Sequence, residues 1–261
     1  MDKNKKDFKI GIAFGSGGAK GAAHLGALKA FEEEGISFDV IAGTSIGSIV
    51  GALYAKGYSS DDMRALLKEV AIGDVQMTLM FALGMIDLSQ IINKFTGGAH
   101  FSDLKKPFKA VAVDLDAGQE VVLAEGELSK ALAASSSVSP MPPIYLQGKR
   151  LVDGAFLNYV PSDVVKDMGA DVVKAINLGK EHETNQVIKM TLDEFYPNNG
   201  IPLTDRSKQC YKYADFVLEP DLSNFSTSSL KGLDDMYEIG YQIAKQKMQE
   251  IKAIISNKRK G

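Results

Sequence analysis

Three residues near the start of the chain, Gly43, Ser45 and Gly47, form the pattern Gly-x-Ser-x-Gly. The apolar and β-branched residues 38–42 predict a strand before this pattern, and the small and apolar residues after it predict a helix. In such a strand, tight turn and helix, the serine backbone is strained and its hydroxyl is exposed above the sheet, while the glycines allow close approach. We therefore predict that Ser45 is a nucleophile; the alternative is an ordinary turn of small residues.

A glycine-rich loop at residues 15–21 follows a first predicted strand at 8–14. Such a loop is typical of nucleotide-binding sites, but its spacing fits neither common motif. The Walker A motif needs serine or threonine after its lysine, whereas Gly21 follows Lys20. The dinucleotide fingerprint that starts at Gly15 needs glycine where Lys20 stands. The spacing therefore argues against a nucleotide at this loop.

The same loop could instead bind an anion through its backbone. Because Gly17 and Gly18 carry no side chains, their N–H groups are free to approach a ligand at the positive end of the following helix. We predict that these groups, joined by the N–H of Ile46 after the serine, form an oxyanion hole. Lys20 is a candidate for supporting positive charge, or is a surface lysine that closes the turn.

A serine nucleophile also needs a base within hydrogen-bond reach, and the chain has three histidines. We expect His24 to be packed or to cap its helix, and we place His100 in a loop. The chain order Ser45, Asp153, His182 is that of the α/β-hydrolases, but two glutamates flank the histidine and indicate a solvated segment. Asp153 ends a predicted strand and is followed by glycine, a position that also suits a turn aspartate. From the residues alone, both bases remain open.

The most lipophilic segment is residues 74–95. Its apolar side chains recur at helical spacing and are rich in methionine, which suits an acyl-chain groove or a lid that contacts a membrane. The alternative is a helix packed in the core. The residues at helical spacing are Met77, Met80, Phe81, Gly84, Met85, Leu88, Ile92 and Phe95.

Composition limits the function classes. The chain has 261 residues and a net charge of -3, which argues against a nucleic-acid partner, because phosphate backbones require clustered cationic surface. The single cysteine, Cys210, cannot form an internal disulfide. No apolar run is long enough for a signal peptide core or for a bilayer crossing. We therefore expect a cytoplasmic protein, with peripheral membrane contact through residues 74–95 as the one membrane interaction to consider.

Predicted strands and helices alternate along the chain. This alternation predicts a three-layer α/β/α fold with a central, mostly parallel sheet in a single domain, residues 1–261. Two predicted strands at 107–115 and 120–124 form a hairpin, and apolar residues from 230 to 251 mark a long terminal amphipathic helix. The polar region 180–207 is predicted to be an excursion from this fold.

Taken in order, three motifs resemble the patatin-like phospholipase family: residues 17–21, 43–47 and 153–155. The resemblance covers residues 8–165 as a catalytic core. It is weaker over 166–261, which would complete the fold and end in the terminal helix. Three ordered motifs are far more specific than the serine pattern alone.

This resemblance implies a patatin-like fold and a dyad without histidine, in which Ser45 is the nucleophile and Asp153 the base, so that His182 would be incidental. The loop around Gly17 and Gly18 would be the oxyanion hole. The implied reaction is hydrolysis of fatty-acyl esters, phospholipids or lysophospholipids, through an acyl-enzyme and without metal or organic cofactor. A carboxylate with an ordinary pKa is a poor base, so we expect either that burial raises the basicity of Asp153 or that the oxyanion hole strongly assists the proton transfer.

Two positions depart from the family pattern. Lys20 stands where arginine is commoner, and Ala155 stands where a second glycine is commoner, which bears on the position of Asp153. The alternative function on the same fold is a regulatory protein that binds lipid or a protein partner with little turnover.

Overall fold

A computed structural model describes residues 7–72, 88–138, 141–179 and 209–260. In these ranges the strands are β1 Ile10–Phe14, β2 Val40–Thr44, β3 Phe108–Asp114, β4 Gln119–Leu123, β5 Ile144–Leu146, β6 Lys149–Asp153, β7 Val172–Ile176 and β8 Phe216–Leu218. The α-helices there are α1 Ala22–Glu33, α2 Ile46–Lys56, α3 Ser60–Ile72, α4 Leu88–Thr96, α5 Leu128–Ser136, α6 Ser162–Asp167, α7 Gln209–Tyr213 and α8 Leu233–Lys260. Short 3-10 turns span Gly18–Gly21, Phe101–Asp103 and Gly154–Phe156.

The strands form one mixed sheet. Each strand hydrogen-bonds to the next in the order β5, β6, β3, β2, β1, β7 and β8, and β4 also pairs with β3. The strands β3, β2, β1, β7 and β8 are parallel, whereas β4, β5 and β6 form antiparallel pairs. The predicted mostly parallel sheet and the predicted hairpin of β3 and β4 are therefore confirmed.

Helices cover both faces of this sheet. On one face, Ile12 and Phe14 of β1 belong to a buried cluster with apolar residues of α1, α2 and α8. On the other face, Ala13 belongs to a second cluster that includes Val165 of α6 and Cys210 of α7. Because successive strand residues point to opposite faces, one strand supplies both cores. The predicted three-layer α/β/α architecture is confirmed.

The terminal helix α8 crosses α1 at very short range, and glycine makes this possible. A Cβ atom at Gly26 would lie 1.9 Å from the carbonyl oxygen of Tyr237, and one at Gly240 would lie 2.1 Å from that of Ala23. The two helix backbones therefore touch, and α8 holds the helix that follows the glycine-rich loop.

Two strands of opposite direction end against the same edge of β3. Thr44, the last residue of β2, pairs with Val111, and Asp153, the last residue of β6, pairs with the next residue, Ala112. Since β4 pairs with this part of β3 along the opposite edge, β2 and β6 lie end to end. The residue after β2, Ser45, is thus brought to the end of β6.

Several elements differ from the sequence-based predictions. The terminal helix continues past 251 to Lys260, and the three-residue strand β5 was not predicted. Of the lipophilic segment 74–95, the described part forms α4, and residues 74–87 lie outside the described ranges, as do the polar region 180–207 and His182. None of the helices in the described ranges combines the length and apolar character that a bilayer crossing requires.

Candidate active site

Ser45 lies in a strained turn between β2 and α2. Its backbone angles are φ 55° and ψ -127°, a conformation that costs a residue other than glycine about 1–3 kcal/mol. A Cβ atom at Gly43 would lie 2.2 Å from the carbonyl oxygen of Gly47, and one at Gly47 would lie 2.2 Å from that of Phe14. Only glycine fits at these two positions, so the strand and the helix can meet with the serine at the apex.

A second serine holds the backbone of this turn. The N–H of Ser45 donates to Ser135 Oγ at 3.0 Å, and Ser135 Oγ donates to the carbonyl oxygen of Val111 at 2.6 Å. The hydroxyl of Ser135 thus bridges the nucleophile turn and β3. The sequence motifs do not assign this role, because a serine in a serine-rich loop is also typical of an ordinary turn.

Asp153 is buried beside Ser45, with 4% of its surface exposed. Burial raises the pKa of its carboxyl group to about 6, while the neighbouring Ser45 side chain and the N–H of Ala155 act in the opposite direction. The Ala155 N–H donates to Asp153 Oδ1 at 2.8 Å. Because this contact uses the backbone, alanine in place of the commoner glycine preserves it.

A clamp joins the strand that precedes Ser45 to the loop that follows Asp153. The hydroxyl of Thr44 donates to the carbonyl oxygen of Asn158 at 2.8 Å. The Asn158 N–H donates to the carbonyl oxygen of Gly154 at 2.8 Å, and its side-chain amide donates to Asp163 Oδ1 at 2.9 Å. These bonds fix the relative position of the serine and the aspartate, and sequence reasoning did not identify them.

Three backbone donors around the glycine-rich loop are unused, two in the loop and one at the start of α2. The N–H groups of Gly17, Gly18 and Ile46 have no acceptor within residues 7–72, 88–138, 141–179 and 209–260. The loop also lies against the start of α2, since a Cβ atom at Gly21 would lie 2.3 Å from Ile46 Cγ1. The three N–H groups proposed from the sequence are therefore both unpaired and on neighbouring segments.

The neighbouring donors of the loop are all used within the protein, which holds its shape. The N–H groups bond to carbonyl oxygens as follows: Gly15 to Ile176 at 3.0 Å, Ser16 to Tyr159 at 2.9 Å, Ala19 to Thr227 at 2.8 Å and Lys20 to Gly17 at 3.2 Å. The side chain of Lys20 is half-buried, and its ammonium group forms no ion pair with any residue that the structure describes.

His24 supports the loop from below rather than serving Ser45. Its Nε2 lies 2.8 Å from the carbonyl oxygen of Gly15, and its ring packs edge-on against Phe14. Burial lowers the pKa of His24 to about 4, so the ring is neutral at neutral pH and its Nε2–H donates this bond. The expectation that His24 is packed is confirmed. His100 caps the turn Phe101–Asp103, with its backbone N–H donating to Asp103.

An apolar cavity of about 250 Å³ adjoins the loop. Gly18 and Ile46, which carry two of the unpaired donors, line it, and one face of α2 continues its wall. The arrangement combines a hydroxyl with a buried carboxylate, three unpaired donors and an apolar space. A site of this composition can carry out acyl transfer on an ester with an apolar acyl group.

Known proteins of similar sequence include phospholipases. A family model described as Patatin-like phospholipase matches residues 12–166, more than half of the chain. Patatin-like phospholipase domain-containing protein 7 of Mus musculus is 30% identical over 274 residues, covering 89% of this chain and 20% of that protein. Lysophospholipase nte1 of Aspergillus fumigatus is 27% identical over 280 residues, covering 94% of this chain and 18% of that protein.

This chain thus spans about one fifth of the length of these relatives. VipD of Legionella pneumophila has a related fold, with a TM-score of 0.54 at 13% identity over 94% of this chain and 67% of that chain. The extent of the family match, together with these similarities, shows that the chain belongs to the patatin-like phospholipase family.

Proposed function

We propose that this protein is a serine acyl hydrolase that cleaves fatty-acyl esters, with Ser45 as nucleophile and Asp153 as base. One observation carries the proposal. The Ser45 side chain lies beside the buried carboxyl group of Asp153, whose pKa, at about 6, is close to neutral pH. A base with a pKa near the working pH combines a large deprotonated fraction with a useful affinity for the proton.

In the acylation step, Ser45 Oγ attacks the ester carbonyl carbon and its proton passes to Asp153. The negative charge that develops on the carbonyl oxygen is held by the N–H groups of Gly17, Gly18 and Ile46, with Lys20 as supporting charge. Collapse of the tetrahedral intermediate expels the alcohol, which takes the proton from Asp153, and leaves an acyl group on the serine.

Deacylation reverses these roles with water as the nucleophile. Asp153 takes a proton from the water molecule, the same donors hold the second oxyanion, and Ser45 leaves with the proton as the fatty acid forms. The carboxylate is regenerated in each half-reaction, so the cycle needs no metal ion and no organic cofactor.

The substrate class follows from the surroundings of the site. The cavity beside the loop is lined by glycine and apolar residues alone, as a fatty-acyl group requires. Membership of the patatin-like phospholipase family and similarity to a protein named lysophospholipase favour phospholipid or lysophospholipid substrates. A cytoplasmic location and peripheral membrane contact through residues 74–95 stay predictions, and ester hydrolysis that is indifferent to added vesicles would argue against the contact.

Covalent labelling tests the proposal without the natural substrate. We expect a fluorophosphonate to modify Ser45 stoichiometrically, as located by mass spectrometry, and Asp153→Asn to abolish the label. Asp167→Asn, which neutralises an exposed carboxylate, is the matched control and should label normally.

Two outcomes would contradict the proposal. A folded protein that takes no label would favour a lipid- or protein-binding regulatory role on the same fold. Loss of ester hydrolysis in His182→Ala, with little loss in Asp153→Asn, would replace the dyad by a histidine-dependent site.

A further inference from the structure

The apolar cavity is aligned with the helix that begins at the nucleophile. Its wall includes Ile46, Ile49, Val50 and Leu53 of α2. Residues at this spacing lie on one face of a helix, one above the other. Ile46, which directly follows Ser45, begins this wall, so the cavity starts next to the serine and follows α2.

The length of this wall follows from helix geometry. With a rise of about 1.5 Å per residue, the seven steps from Ile46 to Leu53 span about 10 Å. Successive carbons of an extended hydrocarbon advance about 1.25 Å, as a C–C bond of about 1.5 Å at a tetrahedral angle requires. The wall therefore matches about eight carbons.

We propose that the cavity takes a fatty-acyl chain, of which about eight carbons lie along α2, and that Val50 and Leu53 set this length. The inference deepens the proposed function and rests on it, since the carboxyl end of the chain would lie at Ser45 and the unpaired N–H groups. It assigns selectivity for acyl groups of medium length.

Val50 and Leu53 suit this role because both are buried on the cavity face of α2. Leu53 lies about one helical turn farther from the serine than Val50. Phenylalanine at position 50 would fill the middle of the cavity, and alanine at position 53 would extend its far end. Tyr54, the next residue of α2, does not line the cavity and contacts Phe38 instead.

The test measures binding separately from turnover. In a Ser45→Ala background, the affinity for saturated fatty acids of 4 to 16 carbons is measured by calorimetry below their micelle concentrations. Burial of a methylene is worth about 0.8 kcal/mol, so affinity should rise about fourfold per carbon until the cavity is full. We expect the rise to stop near eight carbons, about two carbons earlier in Val50→Phe and later in Leu53→Ala.

Two controls separate cavity shape from general loss of packing. Leu28→Ala makes the same truncation at a buried position of α1 outside the cavity, and Tyr54→Phe alters α2 outside it. In both variants, we expect the affinity for fatty acids to stop rising near eight carbons. The proposal would be overturned if the chain length at which affinity stops rising were the same in every variant. It would also be overturned if affinity rose steadily up to 16 carbons.

The same variants with Ser45 intact are assayed on nitrophenyl esters of matching length. Both proposals are supported if the ester length that is hydrolysed fastest shifts in each variant together with the length at which fatty-acid affinity stops rising. Hydrolysis with one common length profile in all variants would overturn the length inference while leaving the hydrolase function standing. If the length at which affinity stops rising shifts as expected but no variant hydrolyses an ester, the length inference is supported and the hydrolase function is contradicted.

Discussion

Ser45 and Asp153 lie beside each other where two strands of opposite direction end against one edge of β3, and the serine side chain acts on the carboxyl group. Strand β2 leads to the serine and β6 ends in the aspartate. Because both strands pair with β3, that strand sets the position of both residues. The pair therefore depends on strand register as well as on local turn geometry. A slip of one residue in either strand would turn its side chains to the other face of the sheet.

The pH dependence of catalysis should follow the carboxyl group of Asp153. Because only the deprotonated form accepts the serine proton, we expect kcat/KM to rise about tenfold per pH unit below pH 6 and to level off above it. Initial rates on a soluble ester across pH 4–8 measure this. Asp153→Asn should lower kcat about 10²- to 10⁴-fold, and a break near pH 4 would show that burial does not raise the pKa of the base.

The same burial should make the active site costly for folding. The pKa of Asp153 is about 6 when folded and about 3.9 when unfolded, so the folded state binds the proton more tightly. The contribution of Asp153 to the free energy of unfolding is therefore greatest below pH 4. It decreases as the pH rises to 6 and is lost above pH 6. We expect Asp153→Asn to be about 2–3 kcal/mol more stable than the parent at pH 7, with the difference vanishing near pH 4. Urea unfolding at the two pH values measures it, and an equal difference at both would contradict the account.

Ser135→Ala should impair the nucleophile without touching substrate. Removing the hydroxyl leaves the Ser45 N–H without its acceptor, at a cost of about 1–3 kcal/mol, and frees the strained turn. We expect kcat to fall about 10-fold or more while KM changes little, together with slower fluorophosphonate labelling. Ser129→Ala removes a hydroxyl from the same helix, where it bonds only to Glu127 among the described residues, and should label at the parental rate. Equal labelling of both variants would exclude a positioning role for Ser135.

Lys174 in β7 should destabilise the protein at neutral pH. It is 1% exposed, its Nζ has no hydrogen-bond partner among the described residues, and burial lowers its pKa to about 8 despite the nearby Asp215. The unfolded chain therefore binds more protons between pH 8 and 10.5, so stability rises with pH over that interval. We expect Lys174→Met to be about 2–3 kcal/mol more stable at pH 7 and to lose this advantage near pH 10.5. Lys231→Met, at an exposed position, is the control and should change unfolding little.

Sequence patterns predicted the elements that depend on residues close together in the chain. Glycine spacing marked the turn at Ser45, and alternating strands and helices predicted the three layers. Ser135, Thr44 and His24 were not recognised as supports, because a single polar side chain that bonds to a distant backbone atom leaves no periodic pattern. The apolar stripe of α8 continues past the predicted 251 to Ile255, and in the polar turn beyond it Lys258 forms an ion pair with Asp215.

The short strand β5 escaped prediction for a different reason. Three residues after a proline-rich loop are too few to show alternation, and its pairing with β6 depends on a partner that follows it in the chain. The base was left open between Asp153 and His182 by the residues alone. The structure places Asp153 against Ser45, but its role as the base stays a prediction.

The hydrogen bond from the Ala19 N–H to the carbonyl oxygen of Thr227 has a consequence for synthesis on the ribosome. Ser45 and Asp153 both emerge before β7 and before residue 227, so the nascent chain contains the reacting pair while β1 still has an open edge. The glycine-rich loop then lacks one of the bonds that hold its shape. We therefore expect the proposed hydrolase activity to arise late in translation, after the residues proposed to attack an ester have already been made.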